Sequence, residues 1–413
     1  MSGTDPCEAE WLAGPEAASW LEEVGGAPPT PRLVAKLRGA LPPSRVALLL
    51  EIAEARSRSR AKFARGERLL LTRRGLEQAT DQWIAAYKAA RFAKFGPVLD
   101  IGCGVGGDLM ALARRAGVPP LAIERDQTLA VFAAHNVLVS GGVAELRTRS
   151  ADRADVAACD AWHADPDRRL AGRRTVQLSQ SQPALEELET WIKARGDFAL
   201  KLAPAAETPE AWEAEAELEW ISRGGECRQL VVWGGRLAQT PGQRRATCVP
   251  SQSLPDVSAV GTTSGGLVPT FVGNPRVPLE QVKRVAEWVY EPDPAILAAG
   301  LTGALAAKHG LAAFAQVAYL TGPARVADPL LSAFRVLEIL PLQRSRLAQW
   351  LKQRDVGRLE IKCRGVPIDP AALRKELKPR GDAALTLLIA PGQGQASRRQ
   401  GKPLVIAAER VAS

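Results

Sequence analysis

Residues 98–108 read Val98-Leu99-Asp100-Ile101-Gly102-Cys103-Gly104-Val105-Gly106-Gly107-Asp108, and this stretch decides the fold. A hydrophobic strand bearing an acid at its end runs straight into a glycine-rich turn, and a helix is expected from Leu109 to Arg115. Glycines in the turn let the backbone adopt positive φ and approach a ligand closely. The helix start beyond it offers unpaired N–H groups that suit an anionic group. Gly102, Gly104 and Gly107 also satisfy the G-x-G-x-x-G spacing of dinucleotide-binding turns, with Glu124 about the right distance on to meet a ribose. Asp100 weighs against a dinucleotide, because a carboxylate at the strand tip repels a pyrophosphate and attracts a cation.

S-adenosylmethionine is a cationic ligand of that kind. It carries an ammonium and a sulfonium, with one carboxylate to place near the helix start. Asp100, Gly102, Gly104 and Gly107 are therefore candidate contacts to it. Glu124 ends a second strand, Leu121-Ala122-Ile123-Glu124, and one carboxylate can accept from both ribose hydroxyls. Asp152, after the third strand, is a candidate for the adenine amino group, with Asp155 as the competing choice.

Outward from the motif, strand and helix alternate. Strands are predicted at Val98–Ile101, Leu121–Glu124, Ala144–Thr148, Ala161–Ala164 and Phe198–Leu202, then at Leu218–Ser222 and Gln229–Trp233 with no helix between them. Helices are predicted at 107–116, 127–139, 183–194 and roughly 208–216. This pattern is that of an α/β, Rossmann-like core: a mostly parallel, seven-stranded sheet with an antiparallel hairpin at its edge. Residues 1–95 read as a helical region, including Pro31–Ala40, Pro43–Arg60 and Gly75–Phe92. The core spans 96–236, and 237–278 is rich in Gly, Pro, Ser and Thr, so an irregular linker is expected. Residues 279–340 form a small segment with helices at Pro294–His309 and Leu311–Leu320. Residues 341–413 form an α/β module: helix 344–354, strand 358–363, helix 370–377, strand 384–390 and strand 403–409.

In open α/β sheets the ligand crevice lies at the carboxyl ends of the strands, near the point where strand order reverses. The fourth strand ends there in His163-Ala164-Asp165-Pro166. Asp165 is the candidate acid that orients the methyl acceptor and takes its proton, with Pro166 fixing the local backbone. The null alternative is that Asp165 caps the following turn. His163 is expected to serve core packing. Lys201, at the end of the fifth strand, is either a contact to a substrate phosphate or half of an ion pair. Arg168, Arg169, Arg173 and Arg174 form a basic cluster suited to phosphates. A second cluster, Arg56 to Arg74, holds eight basic residues and one acid.

The 413-residue chain carries a net charge of +9, which is compatible with a nucleic-acid partner. Its six scattered cysteines contain no C-x-x-C pair and there are only three histidines, so neither disulfides nor a metal site is expected. No apolar run reaches the length of a membrane span, and the N-terminus lacks a signal-peptide core; a cytoplasmic setting is expected.

The combination of Asp165-Pro166 with Arg168-Arg169 and Gly172-Arg173-Arg174, and of Lys201-Leu202-Ala203-Pro204 with Tyr290-Glu291-Pro292-Asp293-Pro294 and Leu359-Glu360-Ile361-Lys362-Cys363-Arg364-Gly365-Val366, is more specific than the glycine motif. With Leu76–Thr80 and Arg91-Phe92, it resembles the bacterial class I S-adenosylmethionine-dependent methyltransferases with a C-terminal THUMP-like domain, over residues 65–410. The resemblance implies a cofactor-binding core, a ferredoxin-like segment near 280–325 and a module similar to an RNA-binding fold. Asp167, where a small residue is expected, and Arg168, where base-amino methyltransferases carry an aromatic, depart from related patterns. The function so read is methyl transfer to RNA. A protein or small-molecule acceptor is the alternative, as is a degenerate core that binds RNA without catalysis.

Overall fold

Val98–Ile101 (β1) is buried at all of its positions, as an interior parallel strand covered on both faces must be. The computed structural model describes residues 6–25, 28–166, 169–170, 173–174, 181–250, 268–314, 319–392 and 401–411. The chain divides into two compact units: 1–224 with 228–242 and 249–268, and 225–227 with 243–248 and 269–413.

In the first unit β1 is followed by Leu121–Glu124 (β2), Glu145–Thr148 (β3), Ala161–Ala164 (β4), Arg169–Leu170 (β5), Arg173–Arg174 (β6), Phe198–Leu202 (β7), Glu217–Arg223 (β8) and Glu226–Trp233 (β9). Seven of these run side by side as β3-β2-β1-β4-β7-β9-β8. The first five pair in parallel, and β9 lies antiparallel to β7. Strand order reverses between β1 and β4, which sets the crevice at their carboxyl ends. β5 and β6 form a separate two-stranded ladder, with Arg169 opposite Arg174.

The expected helix 75–92 is two helices, Arg73–Gln78 and Gln82–Arg91. Asp81 breaks the run: its Oδ1 accepts from the N–H groups of Trp83 and Ile84 and so starts a new helix. The expected helix 107–116 is confined to Leu109–Leu112, whose four residues are all buried. Nearer the N-terminus, Pro31–Ala40 and Pro43–Ser59 bury Leu37, Leu49 and Ile52 in one cluster with Leu70 and Phe132. Because Phe132 belongs to the helix Gln127–Val139 that follows β2, these N-terminal helices pack onto the core. Arg56 is enclosed there, donating to the carbonyls of Leu69 and Leu21, and burial lowers its pKa to about 10.

The second unit departs from expectation in three places. The supposed linker carries two paired strands, Arg244–Cys248 (β10) and Thr270–Gly273 (β11), in antiparallel register. Around Leu311–Leu320, where alanines suggest helix, Ala312–Phe314 (β14) and Tyr319–Gly322 (β15) pair instead, since ladder formation overrides propensity. The stretch 279–290, read as helix then strand, contains Gln281–Val282 (β12) and the start of Trp288–Pro292 (β13). Leu331–Pro341 (β16), Val356–Cys363 (β17), Ala383–Gly392 (β18) and Gly401–Val411 (β19) complete a sheet ordered β12-β14-β15-β13-β16-β19-β18-β17. β16 pairs with β13 on one side and β19 on the other, so a boundary at 341 cuts through one continuous sheet. β17 and β18 are parallel, joined across the helix Pro370–Leu377.

Candidate functional site at the carboxyl ends of the strands

β1 and β4 are in parallel register with Asp100 opposite His163, so both side chains emerge on one face. His163 Nδ1 lies 2.7 Å from Asp100 Oδ1, and its Nε2 lies 3.4 Å from the Lys88 ammonium. Lys88 reaches Asp108 Oδ1 at 2.7 Å, and Thr80 donates to Asp108 Oδ2 at 2.7 Å. Asp100, Lys88, Asp108 and His163 are all buried. Burial drives the Lys88 pKa down, while burial of Asp108 is outweighed by Lys88, His163 and Lys201, which hold its carboxyl below the usual range. His163 is thus in the core, as expected, but as a polar bridge rather than as packing.

The turn above this network takes positive φ at Gly102 (69°), Gly104 (57°) and Gly106 (87°). A Cβ added at Gly104 would meet nothing within 4 Å, whereas one at Gly107 would lie 2.9 Å from the Thr80 nitrogen. Gly104 therefore faces open space, and Gly107 is small so that the Ala79–Thr80 backbone can pass. Glu124 accepts from the N–H of Gly104 (2.9 Å) through Oε2 and from Asp126 N–H (2.9 Å) through Oε1. Desolvation raises its pKa. Burial pushes the Cys103 thiol well above its ordinary value, with Asp100 and Glu124 adding to the effect.

Asp165 and Pro166 follow β4 directly, with Asp165 N–H bound to the Ile101 carbonyl at the end of β1. The Asp165 carboxylate pairs with Lys201 at 2.5 Å, and Lys201 also donates to the Gln78 carbonyl. Of the two roles considered for Lys201, the ion pair is the one this geometry displays. Asp152 lies apart from the turn in its bonding: it caps the helix Arg153–Ala158 in a capping box with Asp155. Asp155 in turn pairs with Arg149. Arg168 lies outside the described residues, and only the backbone of Arg169, Arg173 and Arg174 is described.

The donor set fits a cation. Asp100 Oδ2 is buried and has no hydrogen-bond partner among the described residues, a carboxylate oxygen left over after His163 takes the other. Open space at Gly104 lets a ligand lie against the main chain, and Glu124 retains lone pairs for hydroxyl donors. Lys88 and Asp108 escaped the reading of the sequence. The available signal was Lys88 on the same helical face as Ile84 and Ala85, a cation in a buried stripe. Among the described residues no cluster of three His, Cys, Asp or Glu is placed to hold a metal, and no described helix is long and apolar enough to cross a membrane.

A parallel sheet with an order reversal and an antiparallel edge, a glycine turn at its tip, an acid ending β2 and Asp100 beneath the turn are together the features of a class I methyltransferase core. Comparison with known proteins agrees. The chain is 35% identical over 328 residues to an uncharacterised S-adenosylmethionine-dependent methyltransferase of Mycobacterium tuberculosis, in both strain CDC 1551 and strain H37Rv, covering 78% of this chain and 84% of the relative. The chain belongs to this family of S-adenosylmethionine-dependent methyltransferases, and the dinucleotide reading falls away. Residues 331–410 match the family model for THUMP domain-like regions. A crystal structure of a proposed methyltransferase from Porphyromonas gingivalis W83 has the same fold over 99% of both chains, with a TM-score of 0.73 at 22% identity.

Proposed function

We propose that this methyltransferase acts on RNA. The observation that carries the reading is the match of residues 331–410 to THUMP domain-like regions on the same chain as a methyltransferase core. A net charge of +9 and the arginines at 168, 169, 173 and 174 support it. RNA is met in a setting without disulfides or membrane, namely the cytoplasm.

S-adenosylmethionine, when bound, supplies an electrophilic methyl group. In the proposed assignment Asp100 receives the donor's ammonium through its unpaired oxygen, the Gly102–Gly104 main chain lies along it and Glu124 accepts from the ribose. Asp152, if it reaches the adenine, does so with a carboxylate already engaged in capping. Asp165 orients the accepting atom and takes up its proton, with Pro166 shaping the backbone and Lys201 holding the carboxylate in place. The rate gain assigned to these residues is chiefly positioning. Arg168, Arg169, Arg173 and Arg174 are assigned to phosphates.

The test is methyl incorporation from tritiated S-adenosylmethionine into RNA from cells lacking the protein. Nuclease-sensitive label is expected. Label that resists nuclease and yields to protease, or that passes into small molecules, overturns the RNA assignment.

A further inference from the structure

Of the eight basic residues between Arg56 and Arg74, several are committed to the protein itself. Arg56 is buried, Lys62 Nζ donates to the carbonyls of Leu76, Glu77 and Ala79, and Arg58 and Arg73 pair with Glu54 and Glu77. Arg65 and Arg68 have no ion-pair partner among the described residues, and both line a cavity of about 200 Å³. Arg114, which lines the same cavity, has none among them either. The floor is apolar: Phe63, Leu69, Met110 and Ala111. No carboxylate lines the space.

Three unpaired guanidinium groups around an apolar floor are an arrangement in search of an anion. Burial of part of its side chain lowers the Arg114 pKa, and no ion-pair partner for it is found among the described residues. The volume is below the roughly 300–1,000 Å³ of sites that enclose whole small-molecule ligands. It suits one ring of a larger molecule whose charged parts stay at the rim. One wall is Val139–Ser140, at the carboxyl end of the helix that begins after Glu124, and another is Gly107 with Met110, where the glycine turn passes into its helix.

We propose that this cavity binds one nucleotide unit of an RNA strand, its base against the Phe63 and Met110 floor and its phosphates against Arg65, Arg68 and Arg114. The proposal rests on the RNA reading above and adds to it a second point of grip, on the Gly107 side of the glycine turn. A nucleotide is favoured over a small free anion because apolar and cationic side chains share the lining, which suits a ring that carries phosphate.

The test uses the full-length protein and a short, fluorescein-labelled single-stranded RNA of mixed sequence, with anisotropy read across a salt series. Arg68→Ala and Arg114→Ala are each expected to weaken binding about fivefold and to reduce the slope of log K against log salt by about 0.7, the value for one phosphate contact on a single strand. Calorimetric S-adenosylmethionine affinity is expected to be unchanged in both, which shows that the fold is intact. Wild-type binding with unaltered affinity and slope in both variants overturns the cavity assignment alone. Failure of the wild-type protein to bind the RNA at all overturns the RNA reading, and this proposal with it.

Discussion

Asp100 and His163 face each other across the β1–β4 ladder, with the carboxylate Oδ1 2.7 Å from the ring Nδ1. The imidazole thereby fixes which way the carboxylate turns and leaves Oδ2, which has no hydrogen-bond partner among the described residues, for a ligand. Removing one partner of a buried hydrogen bond leaves the survivor with its desolvation penalty unanswered. His163→Ala is therefore expected to lower stability by about 1–3 kcal/mol in urea denaturation. It should also weaken S-adenosylmethionine binding about tenfold in calorimetry, since Asp100 is no longer oriented. Unchanged stability and affinity would refute the bridging role.

Asp100→Asn keeps the shape and removes the charge. A hydrogen bond to a charged group is worth about 1.5–3 kcal/mol, so S-adenosylmethionine affinity should fall on the order of tenfold to a hundredfold. Retention of wild-type affinity would refute the assignment of the carboxylate to the donor's ammonium.

Two glycines of the turn should behave oppositely. Gly107→Ala places a methyl 2.9 Å from the Thr80 nitrogen, so a loss of about 1–3 kcal/mol in stability is expected. At Gly104 the added carbon meets nothing, and the cost is the left-handed backbone alone, about 1–2 kcal/mol. The donor's affinity should nevertheless fall more in Gly104→Ala than in Gly107→Ala. Equal affinity losses would show that Gly104 does not lie against the ligand.

Burial lowers the Lys62 pKa from 10.5 to about 8, helped by the nearby charge of Lys201. A group whose pKa is lower in the folded state binds fewer protons there than when unfolded. Its contribution to stability therefore rises with pH across the window from about 8 to 10.5. Lys62→Met should flatten that rise relative to the wild type in urea titrations. A lysine resonance titrating near 8 in reductively methylated protein would confirm the origin, and its absence would refute it.

At the acid end the Asp108 carboxyl is held below its usual range, so its share of stability is full above that range and lost as the pH falls through it. Lys88→Met should reduce that acid-dependent share and lower stability at neutral pH, because Asp108 would stay buried without its nearest ammonium partner. An acid limb identical to the wild type would contradict this.

The parallel core was legible because its signals are local and reinforce one another. β1, β2, β4 and β7 fall on the predicted residues, each a short apolar run closed by a turn or a polar end. The glycine turn and Glu124 were legible for the same reason. What lay hidden depends on tertiary partners. β14, two of whose three residues are alanine, and β15 become strands by pairing with each other and with β12 and β13. Arg244–Cys248 carries little apolar pattern and is recognisable as a strand only beside Thr270–Gly273. The Asp100–His163–Lys88–Asp108 network joins residues from two strands, a helix and a loop, and no spacing rule links them. The Arg91-Phe92 motif finds its reason only in space: Arg91 meets the buried carboxylates of Glu217 and Glu219, more than a hundred residues away.

The strand Leu331–Pro341 is flanked on both sides, by Trp288–Pro292 and by Gly401–Val411. Excising the chain at residue 330 to isolate the THUMP-like part would strip the first of those neighbours and bare a row of main-chain donors and acceptors. Such a fragment is prone to self-association through that raw edge. The carboxyl-terminal sheet is thus a block that reaches back to Trp288 or beyond, and any transplant of it to another enzyme must carry that earlier strand along.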